Sequence, residues 1–330
     1  MKVLVTGSTG FIGFHVAKTL RDNGCHVRAL VRQGSPADHV KSLGIETAEG
    51  DIRDPAAVKR AVRGCRQVYH VAADYRLWTP DPDTMYDTNV RGTRNVMECS
   101  RDENVERVIY TSSVGVLACS TDGTLADEDT PSRLEEMVGH YKRSKFLAEQ
   151  EVRGFIKRGL PAVVVNPSTP VGPMDRKPTP TGQIIVDFLS NRMPAYLDTG
   201  LNFVDVEDVA RGHWLAGLHG RTGQRYILGN SNMTLREFLE TLARTAGKSP
   251  PRIRLPYLPV LIAAYINEAL SNWIVHRPPK IPLVGVKMAR KFMFFNCSKA
   301  VSELRMPQNP VAGALERAVA WFRENNYVKN

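Results

Sequence analysis

The chain has 330 residues, 42% apolar and 24% charged, which is enough for a substantial core and more than one average domain. Its five cysteines are widely spaced with no C-x-x-C pair, which argues for reduced thiols and against a disulfide framework or a metal site. No charged leader precedes an apolar stretch, so no secretory signal is read and a cytoplasmic location is expected; the formal charge is +10.

Val3, Leu4 and Val5 form an apolar run of the kind that makes a buried parallel strand. Gly7, Gly10 and Gly13 follow, and a helical pattern spans Phe14 to Asp22. A glycine turn between strand and helix lets the backbone approach a diphosphate, which the free N–H groups of the helix then stabilise. The spacing G-x-x-G-x-x-G is one residue longer than the G-x-G-x-x-G fingerprint. Cys25 to Val31 reads as a second strand and ends at Arg32, where an NAD-selective site carries a carboxylate. A guanidinium there suits a 2′-phosphate, so NADP is favoured over NAD.

Ile45 to Ala48 reads as the third strand, leading to Asp51, which either meets an adenine or caps the helix Pro55 to Arg63. Val68 to Ala73 is the fourth strand, Asn89 to Ser100 a helix, and Arg107 to Ser113 a fifth strand ending in hydroxyls. This alternation predicts an α/β fold with a Rossmann-type doubly wound parallel sheet, whose ligands lie beyond the carboxyl ends of its strands. Tyr141 and Lys145 come next, four apart and so on one helix face. Tyrosine has a reference pKa of about 10. An ammonium near 4 Å contributes roughly 4 kcal/mol at intermediate dielectric, enough to lower that value by about two to three pH units. Tyr141 with Lys145 can then exchange a proton with a carbinol oxygen that Ser113 orients.

The second half is interrupted by prolines and predicts a smaller mixed α/β substrate domain. The expected division is 1–166 for the dinucleotide, with returning segments in about 202–228, and 167–201 with 229–330 mainly for substrate. Leu235 to Ala246 is a helix begun by the capping box of Thr234 and Glu237. In Leu258 to Ile274 an apolar stripe (Leu258, Leu261, Ile262, Tyr265, Ile266, Leu270 and Trp273 among others) opposes Asn267, Glu268, Ser271 and Asn272. It is too polar to span a bilayer, and a core or dimer face is expected ahead of a membrane-interface role. Between Arg252 and Lys299 stand eight cations and one carboxylate, Glu268. A solvated basic surface is expected ahead of a membrane or acidic-substrate face, and no nucleic-acid module is recognised.

The motifs VTGSTGFIG, GDIRD, VYHVAA, NVRGTRNV, YTSS, YKRSK and FVDVEDVARGH together resemble the extended short-chain dehydrogenases/reductases of the NAD-dependent epimerase/dehydratase superfamily. The resemblance implies that Gly7, Gly10, Phe11, Ile12 and Gly13 hold a diphosphate, Arg32 a 2′-phosphate, and Asp51 with Ile52 an adenine. It implies that Ala72 and Ala73 line the cofactor, that Asn89 is a structural asparagine, and that Ser113, Tyr141 and Lys145 are catalytic. Lys145 would also bond the nicotinamide ribose, with Pro167, Ser168 and Thr169 flanking the nicotinamide. A homodimer through the helices around Asn89–Ser100 and Gly139–Gly154 is likewise implied.

Residues 72–78 and 288–295 are most similar to hopanoid-associated sugar epimerases, while VRALVR and YTSS also resemble dihydroflavonol 4-reductases. The stretch Asn166 to Pro173 lacks the arginine and the inner asparagine usual in nucleotide-sugar epimerases, and Asn202 stands where they tend to carry arginine. Val114 and Gly115 replace the Asp-Glu pair of sugar dehydratases. The expectation is an NADP-linked epimerase or ketone reductase, in the second case resembling dihydroflavonol 4-reductase or 3β-hydroxysteroid dehydrogenase. Its expected substrate is lipid-like or a lipid-linked sugar; a non-catalytic NADP-binding regulator is the contrasting class.

Overall fold

The computed structural model describes residues 1–119, 125–275 and 277–328. Its strands are β1 (Lys2–Thr6), β2 (His26–Val31), β3 (Glu46–Glu49), β4 (Gln67–His70), β5 (Arg107–Thr111) and β6 (Ala162–Pro167). They continue as β7 (Thr169–Val171), β8 (Ala195–Leu197), β9 (Gly200–Asp205), β10 (Arg225–Leu228), β11 (Ser231–Thr234) and β12 (Ile253–Leu255). Seven of them form one parallel sheet in the order β10-β6-β5-β4-β1-β2-β3. Val3, Leu4 and Val5 are fully buried because helices cover both faces of a parallel sheet.

One face carries the helices Phe11–Asp22 and Val206–His219, packed on each other over Val3, Val5, Val163 and Val165. The other carries Pro55–Val62, Gly92–Asp102 and Gly139–Lys157 over Leu4, Val68, Val108 and Val164. A separate core gathers the helices Pro180–Leu189, Leu235–Ala246 and Val311–Glu324 against the three-stranded sheet β11-β9-β7. Phe203 therefore starts no return to the main sheet, since β9 belongs to the small one. The helix that follows β9 does return, and β10 closes the main sheet's edge.

Several boundaries differ from the sequence reading for local reasons. The first helix begins at Phe11, not Phe14, because Gly10 already has the extended backbone of an N-cap. The helix at Pro55 is capped by Asp54, whose carboxylate accepts from the Ala56 amide at 2.9 Å, and not by Asp51. Asn89 lies in a π-helical turn, Asp87–Arg91, ahead of the helix it was expected to start. Thr234 and Glu237 form the expected capping box.

Candidate active site

Parallel strands end on the same side, so β1, β4, β5 and β6 deliver their last residues to one crevice. At the end of β1, Gly7 turns with φ +75°, a conformation that L side chains rarely adopt. A Cβ at Gly7 would stand 2.6 Å from the Ala72 amide nitrogen, and one at Gly13 2.0 Å from the Gly7 carbonyl oxygen. Gly10 donates to Gly7 O at 3.0 Å, and Phe14 N–H to Gly10 O at 2.9 Å is the first helical bond. The amides of Phe11, Ile12 and Gly13 ahead of it thus lack an intrahelical acceptor. Beside them the Ser8 hydroxyl is buried with no partner. Unpaired donors around a side-chain-free turn fit a diphosphate, which needs donors and close backbone approach.

Arg32 stands exposed just beyond β2. Asp51, beyond β3, accepts from Arg53 through Nε at 3.1 Å, Nη2 at 2.9 Å and the backbone amide at 2.9 Å. Burial pushes the Asp51 carboxyl up, but these bonds, aided by the Arg32 charge, hold it below its ordinary value. Two guanidiniums therefore share this corner; sequence reasoning named Arg32 and missed Arg53, although GDIRD contains it. Ile52 is buried beneath Gly92, and its carbonyl accepts from Asn95 Nδ2 at 3.0 Å.

Ala72 and Ala73 follow β4, where Ala72 N–H donates to Thr6 Oγ1 at 3.2 Å. Asn89 fixes the next residue: its Oδ1 accepts from Asp74 N–H at 2.7 Å while its Nδ2 donates to Asp74 O at 2.8 Å and Ser144 Oγ at 2.9 Å. That one side chain ties the loop after β4 to the helix carrying Tyr141 and Lys145. At the end of β6, Pro167 precedes Ser168, whose N–H donates to Leu228 O at 3.1 Å and whose buried hydroxyl has no partner; Thr169 opens β7. An orphaned hydroxyl there suits a polar cofactor edge.

Ser113 lies just past β5, with its Oγ accepting from Gly115 N–H at 3.0 Å and its carbonyl accepting from Asn166 Nδ2 at 3.0 Å. The Ser113 side chain also stands near enough to the Tyr141 phenol to favour its ionised form. Lys145, 2% exposed, donates to Thr111 O at 2.7 Å and Tyr110 OH at 3.0 Å. Burial drives its pKa down to about 7, against the opposing charge of Glu149. The expected lowering of the Tyr141 pKa is not what this arrangement gives. Burial raises it, only Ser113 opposes, and the Lys145 ammonium is committed to Tyr110 and Thr111.

Glu149, one turn beyond Lys145, accepts from Ser112 Oγ at 2.6 Å and from Arg225 Nε at 2.7 Å. Burial pushes its carboxyl up, but Arg225, Ser112 and Arg153 hold it below the ordinary range. It braces the residue next to Ser113 and keeps a negative charge below Lys145. The i, i+4 spacing from Lys145 was its signal in the sequence. Tyr110 and Asn166 had none.

The family model for the NAD dependent epimerase/dehydratase family matches residues 3–229. A Synechocystis protein provisionally named dihydroflavonol 4-reductase is 44% identical over 98% of this chain and 95% of its own length. Sterol demethylase protein B of Methylococcus capsulatus is 31% identical over 99% of this chain and 100% of its own. The crystal structure of gox2253 superposes with a TM-score of 0.89 at 45% identity, covering 99% of both chains. This chain therefore belongs to the NAD-dependent epimerase/dehydratase family, within the extended short-chain dehydrogenases/reductases, and is an NAD(P)-dependent enzyme.

Proposed function

We propose that the protein interconverts a secondary alcohol and a ketone on a lipid-like substrate, with NADP(H) as redox partner and Ser113, Tyr141 and Lys145 as the proton relay. The observation that carries this reading is that Ser113, just past β5, acts on the Tyr141 phenol, which stands one helical turn from buried Lys145. In this reading residues 1–166, with returning segments in 202–228, hold the cofactor; 167–201 and 229–330 mainly hold the substrate.

The nicotinamide, when bound, supplies or accepts the hydride. In the reducing direction Tyr141 gives its proton to the carbonyl oxygen, for which its raised pKa keeps it loaded. Ser113 donates a second hydrogen bond to the same oxygen as charge develops on it. Lys145 would hold a ribose hydroxyl of the bound cofactor, and its charge would stabilise the phenolate left on Tyr141. Gly7, Gly13 and the free amides of the first helix would hold the diphosphate, and Arg32 with Arg53 the 2′-phosphate.

A hydrophobic substrate fits better than a free nucleotide sugar. Asn202, where nucleotide-sugar epimerases tend to carry arginine, is buried and donates to Asn232 Oδ1 at 2.8 Å and Asn230 O at 3.3 Å within its own sheet. The names of the two curated relatives, a flavonoid reductase and a sterol-modifying protein, point the same way. A second reading, epimerisation of a lipid-linked sugar of the hopanoid type, is favoured by the match of residues 72–78 and 288–295 to such epimerases. Mixing purified protein with NADPH and a panel of steroid, flavanone and isoprenoid ketones separates the two. Stoichiometric loss of the reduced-cofactor absorbance supports net reduction, whereas product formed with tightly held, unconsumed cofactor supports epimerisation. Tighter binding of a nucleotide sugar than of any hydrophobic ketone overturns the substrate assignment.

A further inference from the structure

The helix Tyr257–Leu270, continued by the π-helical turn Ser271–Val275, bonds its polar side chains to neighbouring segments of the chain. Asn267 Oδ1 accepts from the Ile281 amide at 3.1 Å, Glu268 Oε2 from the Leu283 amide at 3.2 Å, and Asn272 Oδ1 from Trp78 Nε1 at 2.9 Å. Ser271 is buried. Only a narrow apolar strip, Tyr257, Val260, Leu261 and Ala264, packs beneath it on Leu283 and Val286. The stripe expected to be core or a dimer face points outward instead. Leu258 is 67% exposed, Ile262 60%, Ile266 57% and Trp273 84%, with Tyr265 and Leu270 beside them; the side chain of Ile274 lies outside the described residues. A helix that ties its amides and its carboxylate to its own fold and shows water its isoleucines is arranged for another apolar medium.

The charge around the stripe says which one. Arg252, Arg277, Lys280, Arg290 and Lys291 are exposed, and no carboxylate pairs with them among the described residues. Lys287 lies over the Tyr265 ring at 5.0 Å. A second copy meeting this face across a two-fold axis would bring cation onto cation. An anionic bilayer surface offers apolar depth for the leucine and isoleucines, an interfacial level for Trp273 and Tyr265, and counter-charge for the basic rim. No helix among the described residues is long and apolar enough to cross a membrane, so the element would lie in the interface plane.

The face also adjoins the candidate site. Trp78, its hydrogen-bonded neighbour, is five residues past Ala73, and Val284 stands 3.0 Å from where a Cβ on Gly139 would lie, two residues before Tyr141. We infer that residues 257–273 are a peripheral docking face for anionic membrane at the substrate entrance. Delivery of substrate from the bilayer toward Tyr141 rests on the lipid-like substrate proposed above; the docking itself does not.

Sedimentation of the full chain with phosphatidylcholine vesicles, with and without phosphatidylglycerol, tests this. Binding to the anionic vesicles alone, weakening as salt is raised, is expected. The double variant Ile262→Ser/Trp273→Ser should lower partitioning more than tenfold, and Lys280→Gln and Arg290→Gln about fivefold each. NADPH affinity, measured on the same samples, should stay unchanged in all of them and shows that each variant is folded. Protein that remains in the supernatant at every lipid composition overturns the inference. So does vesicle binding undiminished in the double variant, or a wild type that ignores vesicles and is split into smaller oligomers by that variant, which would make the face a protein interface. Wild type that binds vesicles but not NADPH supports the docking face and breaks the enzymatic reading instead.

Discussion

Replacing Gly13 by alanine tests the glycine turn most sharply, because the obstacle is backbone and cannot swing aside. The new Cβ would sit 2.6 Å from Gly7 C, 3.0 Å from Ser8 N and only 2.0 Å from Gly7 O, the last more than an ångström inside ordinary contact. The first helix must retreat from the end of β1 or the turn must open. Either movement displaces the Phe11, Ile12 and Gly13 amides from the place where a diphosphate would lie. Overpacking of this kind costs about 1–3 kcal/mol, and if borne by the bound state that is a loss of about 5- to 150-fold in affinity. Gly10→Ala is the internal control: its Cβ would be 3.3 Å from Gly7 O, a shift of a few tenths of an ångström. Fluorescence titration with NADPH, alongside thermal denaturation of both variants, reads the effect. Gly13→Ala binding within twofold of wild type, with an unchanged melting temperature, would refute the close-packed turn.

Tyr141→Phe should reduce ketone turnover by about 10²- to 10⁴-fold while NADPH binding persists; full turnover would remove the phenol from the relay. Glu149→Gln removes the charge that raises the Lys145 pKa, so the Lys145 titration should move below about 7 and the pH profile of turnover shift to lower pH. An upward shift or none would sever that link. Arg32→Gln should weaken NADPH about tenfold or more while leaving NADH nearly untouched, because a charge-assisted bond to a 2′-phosphate is worth roughly 1.5–3 kcal/mol; equal losses for both would place the 2′-phosphate elsewhere. Burial holds His15 and His213 near a pKa of about 4 and His70 near about 3, against an ordinary 6.5. The unfolded chain therefore binds more protons below pH 6.5, and stability is lost as pH falls from about 6.5 toward 4. By pH 5 each contributes a loss of about 2 kcal/mol, read as a falling urea midpoint; a flat midpoint over that range would contradict the buried neutral imidazoles.

What the sequence by itself determined is the part encoded locally. Three consecutive apolar residues, glycines at fixed intervals, a capping box and a Y-x-x-x-K helix each specify their geometry within a few residues, so the parallel sheet, its glycine turn and the pairing of Tyr141 with Lys145 on one helix were legible. Tertiary structure alone decided how those groups are partnered. Asn89 reaches Asp74 and Ser144, Asn166 reaches the Ser113 carbonyl, and Lys145 turns to Tyr110 and Thr111, all across strands or helices distant in sequence. The ionisation of Tyr141 went the other way from its expected value for the same reason: burial is a property of the whole packed crevice, and here it outweighs the influence of the nearby Ser113. The 257–273 helix is the plainest case. Periodicity reveals that an apolar stripe exists, but which side faces the protein depends on whether distant partners such as Trp78, Ile281 and Leu283 take the polar side, and here they do.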